Sequence, residues 1–314
     1  MSGLRLLLAR AVLCLMTYTL APAVAAASDE VVWLALSDNG SAYVETAEAA
    51  RREILRHAGA TVEILPWQQF LVPGRSPPRL AITVGSGAFA GLAESELRAP
   101  LLATLLPRAV VERYADRAGR NGRAHSAVVL DQPAARQLEL LRLALPERRR
   151  VGVLLGPESK LVAPALRRAA NERGMTLASV EANADGNLFP LLQELLDESD
   201  VLLALPDPHI FNGLTIQNIL TTAYRRRIPL MGFSPAYIKA GALLSLYSSP
   251  AQVGTQTGEI ARAALSGRAL PPPQAPREFS IGINADVARS LGIGVDADAA
   301  PRWSEQLRAK ERAP

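Results

Sequence analysis

Cysteine is almost missing from this chain of 314 residues. The single one, Cys14, sits inside an N-terminal apolar stretch, so everything downstream is free of thiols. That excludes a disulfide framework, and any stability outside a reducing compartment must come from the core. The three histidines, His57, His125 and His209, are isolated from one another, which leaves a transition-metal site without support. Aromatic residues make up only 5% of the chain. The net charge of +4 comes mostly from arginines scattered among acids, as in Arg51-Arg52-Glu53. No basic stripe interleaves with aromatics, so nucleic acid is excluded as a partner. Long apolar runs are also lacking, and no segment approaches the roughly 20 residues of a membrane span.

What is present is an ordinary globular composition, 49% hydrophobic and 20% charged. At the N-terminus, Arg5 and Arg10 flank an apolar core from Ala11 to Leu20. Ala23-Val24-Ala25 and Ala25-Ala26-Ala27 then offer small-residue cleavage sites. This predicts a secretory signal over residues 1–27, cut after Ala25 or Ala27, and a mature protein in the periplasm. Cys14 follows Leu13 within the apolar core, where lipidation would need a small residue before it.

From Val31 onward, short apolar runs alternate with helical patterns. Val31–Leu36, Thr61–Leu65, Leu80–Val84, Leu101–Leu106 and Ser126–Leu130 read as a first set of strands. A second set covers Val151–Leu155, Thr176–Val180, Val201–Leu205, Ile228–Met231 and Leu243–Leu246. Helical patterns fall at Glu45–His57, Ala88–Leu97, Ala134–Leu145, Val162–Arg173, Leu188–Glu198 and Leu214–Arg226. Strands that read as continuous apolar runs belong in parallel sheets covered on both faces. The rhythm occurs twice, with Asp131-Gln132-Pro133 near the join. The fold class is therefore α/β, with two Rossmann-like lobes. Arg117–His125 reads as a solvated loop, Pro271–Pro276 as a stiff crossing, and the chain after Asp296 as a frayed, charged tail.

Several motifs suggest chemistry and fail on inspection. Gly232-Phe233-Ser234-Pro235-Ala236 resembles a nucleophile elbow, but Pro235 has no N–H to give to an oxyanion hole. All three histidines also precede Ser234, so no enzyme is expected. Gly85–Gly91 follows a strand and opens a helix, yet it follows the third strand with the wrong glycine spacing for a dinucleotide loop. Gly156–Lys160 lacks the spacing of a phosphate loop. No cofactor is expected.

Polar and aromatic residues remain just past strand C-termini, the edge where ligands sit in open parallel sheets. The candidates are Asp38, Tyr43 and Ser86 in the first lobe, and Asp207, Phe233, Ser234 and Tyr247 in the second. The carboxylates would pair a ligand ammonium, the serines would take a carboxylate, and the aromatics would pack its body.

Between about Asp131 and Ile293 stand Arg150–Leu154, Asp200–Asp207, Ile228–Ala242, Gly254–Glu259, Phe279–Asn284 and Ala288–Ile293. Through these spaced segments the chain resembles the tryptophan/tyrosine-type group of ABC-transporter substrate-binding proteins. The first lobe departs from that group's pattern after the first strand, where Ser37–Tyr43 stands, and again at Ser126–Asp131. The resemblance implies a type I periplasmic binding-protein fold. It also implies a small-molecule ligand, an amino acid or related organic solute, and a membrane permease as partner. A membrane sensor or kinase is the alternative partner, and a monomer is expected. The group's chain path implies discontinuous lobes: 28–131 with about 246–270, and 132–245 with about 271–296, leaving 297–314 as the tail.

Overall fold

The computed structural model describes residues 30–120, 123–182 and 188–312. The expected export segment, residues 1–27, lies outside the described residues. Among those described, no helix is long and apolar enough to cross a membrane.

The first sheet is built from β1 (Glu30–Leu36), β2 (Ala60–Pro66), β3 (Leu80–Val84), β4 (Leu101–Thr104) and β5 (His125–Val128). Its order is β2-β1-β3-β4-β5, with every pair parallel. Alternation along β1 sends Val32, Leu34 and Leu36 to one face and Trp33 and Ala35 to the other. The first face packs against α1 (Ser41–Ile54) and α9 (Pro250–Leu265), the second against α2 (Ser86–Glu94) and α3 (Arg108–Arg120). Each fully buried Leu, Ile or Val side chain contributes about 1.5–3 kcal/mol. A strand covered on both faces therefore needs the near-continuous apolar runs seen in the sequence.

The second sheet follows the order β11-β10-β9-β8-β6-β7. Its strands are β6 (Arg150–Leu155), β7 (Thr176–Glu181), β8 (Val201–Leu203), β9 (Leu230–Gly232), β10 (Leu244–Tyr247) and β11 (Ser280–Ile283). Only β11 runs antiparallel, alongside β10. α4 (Ala134–Ala144), α5 (Ala163–Asn171) and α11 (Ala300–Arg312) cover one face. α6 (Leu188–Asp197), α7 (Ile216–Arg225) and α8 (Pro235–Ala240) cover the other, and α10 (Ala285–Leu291) follows β11.

Three segments connect the lobes. The chain leaves the first sheet after β5 and leaves the second after β10, where a capping box at Ser249 starts α9. α9 lies against α1, and its Thr257 hydroxyl bonds the Thr104 hydroxyl of β4 at 2.9 Å in the interior. Gln274 then pairs with Val128 before the chain returns to β11.

Two expectations are corrected. Arg117–Arg120 continue α3 instead of forming a solvated loop, and His125 opens β5. Nearby, Arg123 is buried and donates to the carbonyls of Leu92 and Ala93 in the last turn of α2 and of Leu97 just beyond it. The tail is not frayed: α11 docks on the second lobe through buried Trp303 and Leu307. Charged residues surround that apolar pair, which is why the segment reads as solvated, yet Lys310 and Glu311 pair with Glu139 and Arg136 of the second lobe.

Candidate functional site

Helices that follow parallel strands point their N-termini at the strands' C-terminal edge, so backbone donors and loops gather there. In the first sheet the order reverses between β1 and β3, opening a crevice. Asp38, Tyr43 and Ser86 come together at this point. Ser37 directly follows β1, and its hydroxyl accepts the Ala88 N–H of α2 at 2.8 Å. Asp38 accepts the Gly40 N–H at 2.6 Å, closing a tight turn that starts α1 earlier than its apolar pattern predicts. Tyr43 therefore lies in the first turn of the helix. Its ring is packed over Gly85, where φ is +93°; a Cβ there would stand 2.4 Å from Tyr43 Cε1 and 2.6 Å from Ser37 Oγ. Burial raises the Tyr43 phenol above its usual range, and the charge of Asp38 adds to the effect. Ser86, half-buried, opens α2 beside it.

In the second lobe, Phe233 and Ser234 lead from β9 into α8. Phe233 packs against Tyr237 with ring centroids 4.6 Å apart, and against Phe211 at 6.2 Å. Burial also raises the Tyr237 phenol. Ser234 stands at the N-cap of α8 without a side-chain capping bond, and its carbonyl accepts the Ser245 hydroxyl at 2.7 Å.

Asp207 stands apart from these groups. Its side chain is fully buried, and one carboxylate oxygen accepts the N–H groups of Glu158 and Ser159 and the Ser159 hydroxyl, each at 2.9 Å. The other oxygen accepts the His209 N–H at 3.0 Å, with His209 Nδ1 3.3 Å away. These bonds tie the loop after β6 to the loop after β8.

Tyr247 ends β10 beside Ser280, at the second crossing. There Gln132 donates to the Ser248 hydroxyl at 3.0 Å, and Ser248 donates to the Glu278 carbonyl at 2.6 Å. Arg136 is buried and donates to Gln132 at 2.7 Å and to the Pro276 carbonyl at 3.0 Å. It also forks onto Glu311 at 2.6 and 2.8 Å. Gln256 bonds Gln274 and Ala275 and accepts the Arg277 N–H. All three crossings are thus stitched by a polar network.

Between the lobes lies a cavity of about 260 Å³ that none of the seven expected residues lines. The first lobe supplies Arg108 at the start of α3; Asp131 and Gln132 come from the first crossing. The second lobe supplies Ser159 and an apolar wall that includes Leu161, Val162 and Pro206. Asp131 accepts the Arg108 N–H at 2.7 Å. Burial raises its carboxyl above the ordinary carboxylate range, outweighing the hydrogen bonds that lower it. An arginine and a carboxylate lining one cavity with aliphatic carbon suit a small solute bearing both charges. Arg108 and Asp131 were missed because they meet only through the pairing of β4 with β5. The available signal was an acidic residue directly after a strand, at the join already noted. Among the described residues, no cluster of three or more His, Cys, Asp or Glu could hold a metal ion.

The fold has close counterparts among solved structures. A conserved domain protein from Vibrio cholerae shares 19% identity at a TM-score of 0.63, over 88% of this chain and 99% of that one. An ABC domain from Streptococcus pneumonia, in complex with L-Trp, gives 15% and 0.64 over 88% and 99%. A Clostridium difficile substrate-binding protein with adhesive properties, in its ligand-free, open form, gives 16% and 0.64 over 86% and 97%. Among curated proteins, none matches the chain. The family model for ABC transporter substrate binding proteins matches residues 78–299, more than half of the chain, spanning most of the first sheet and all of the second. This chain belongs to the ABC transporter substrate-binding protein family.

Proposed function

We propose that this protein works in the periplasm as the solute-capturing component of an ABC importer. It takes an amino acid or related small organic solute between its lobes and presents it, as a monomer, to the membrane permease. The reading includes no chemical step on the solute. Its main support is the cavity between the lobes, where Arg108 and Asp131 face an apolar wall. Arg108 would fork onto a solute carboxylate, and Asp131 would accept from an ammonium. Asp38, Tyr43 and Ser86 would extend the first-lobe wall, and Phe233, Ser234 and Tyr247 that of the second. Asp207 would act by shaping its loop.

The test is native mass spectrometry of the protein as isolated, followed by thermal-shift measurements with the L-amino acids and small organic acids. A solute present at 100 times its Kd stabilises by about 2.7 kcal/mol, a shift of about 5 °C for a chain of this size. Arg108→Gln should remove the shift. No co-isolated molecule and no shift with any compound would overturn the reading.

A further inference from the structure

We propose that Arg113 and Glu158 form the contact that closes the cleft, and that Asp207 is the positioning residue holding Glu158 in reach. The link to the solute wall rests on the solute-capture reading; the closure itself does not. Arg113 lies on α3 in the first lobe, and Glu158 lies in the loop after β6 in the second. Their side chains form an ion pair directly across the lobes.

The two partners are unequal. The Arg113 side chain is 54% exposed and free to sweep, while that of Glu158 is only 10% exposed. The loop bearing Glu158 is immobilised beforehand, because the backbone N–H groups of Glu158 and Ser159 both bond one oxygen of Asp207. The Ser159 hydroxyl donates to that same oxygen and accepts the Gly156 N–H at 2.9 Å. A carboxylate carried on a backbone fixed in this way has less freedom to lose when the arginine arrives, so more of the ion pair's free energy remains to favour closure. Among the described residues, the second carboxylate oxygen of Glu158 is buried without a hydrogen-bond partner. In the closed form, then, Arg113 is what compensates the buried charge, and removing it leaves that charge unpaired. Ser159 and Leu161, a few residues along the same loop, line the cavity. The loop therefore carries both the closing contact and part of the solute wall, so closing one sets the other.

The test measures lobe separation in the solute-free protein. Spin labels go on Gln69→Cys and Glu172→Cys, exposed positions on separate lobes, in a Cys14→Ser background. Arg113→Ala and Glu158→Gln should each lower the closed-to-open ratio about three- to tenfold, the range expected of a partly screened pair. The exchanged pair Arg113→Glu with Glu158→Arg should restore it. Asp207→Asn should broaden the distance distribution through the loop. Unchanged distance distributions in both single variants, with melting temperatures retained, would overturn the proposal. A fall in the closed fraction of a protein that binds no solute would support the closing contact while counting against solute capture.

Discussion

Replacing Asp207 with alanine separates a structural role from a binding role. The carboxylate accepts four hydrogen bonds, and the two from Ser159 are buried. A hydrogen bond to a charged group is worth about 1.5–3 kcal/mol, and a buried donor left unpaired costs about 1–3 kcal/mol. The donors of Glu158 and His209 are partly exposed and can recover water. Relief of the desolvated charge also offsets some of the loss. The net expectation is about 3 kcal/mol of destabilisation. With a urea m-value near 3 kcal/mol/M, the upper end for small proteins, the midpoint should fall by about 1 M.

Gly156→Ala provides an independent perturbation that removes no charge. Its Cβ would stand 2.6 Å from the nearer Asp207 carboxylate oxygen, so the carboxylate or the loop must move. The shift should have the same sign and cost about 1–3 kcal/mol through overpacking. Equilibrium urea unfolding followed by tryptophan fluorescence reads both variants. An Asp207→Ala midpoint within about 0.2 M of wild type, together with complete loss of solute binding, would refute the loop-anchor reasoning and restore Asp207 as a direct ligand contact.

Two further outcomes follow from the second lobe. Glu139 is pushed up by burial but pulled down further by Arg142 and Lys310, so its folded-state pKa falls from 4.5 to about 2. The stability it contributes is therefore complete above pH 4.5 and lost as pH falls toward 2. It amounts to about 2 kcal/mol after allowing for the part-exposed Arg142 and Lys310, and Glu139→Gln should flatten the measured pH–stability curve across that window. Trp303→Ala should cost about 3–5 kcal/mol in urea unfolding, because the ring sits in the core that α11 closes; a cost under 1 kcal/mol would return α11 to the status of a loose tail.

The lobes were legible because strands covered on both faces must be apolar throughout, and Val31–Leu36 or Val151–Leu155 can be little else. The polar residues at strand ends were harder to read. Asp38 and Asp207 look alike in sequence, each separated by one residue from the end of an expected buried strand. One is exposed and turns its own loop; the other is buried by partners 48 and 49 residues upstream. Nothing local to Asp207 reports that. The same reason hides Arg123, whose guanidinium reaches back some 30 residues to carbonyls at the end of α2. Composition also misled where charged residues flank a buried apolar stripe. In α11, Trp303 and Leu307 are four residues apart and mark a buried stripe, but the surrounding Arg, Lys and Glu dominate a reading by charge.

The division of the cavity between the lobes bears on how capture would drive closure. A ligand shifts an open–closed equilibrium only by the contacts it makes in one state and not the other. Arg108 and Asp131 sit on the first lobe and the crossing that leaves it, so a solute could engage both charges before the lobes meet. Those contacts alone bind without closing. The differential part must come from the second lobe, whose Leu161, Val162 and Pro206 add apolar burial and exclude water when they arrive. Water exclusion also strengthens the charge pairs already made, since their attraction grows as the local dielectric falls. If the lobes close, the three crossings bend, and their buried polar groups cannot be left unpaired while they do. Gln132, Arg136 and Gln256 tie the three crossings together, which couples the bending of one to that of the others. That favours two discrete states over a continuum, and a protein with two states can be poised so that a modest differential contact decides between them.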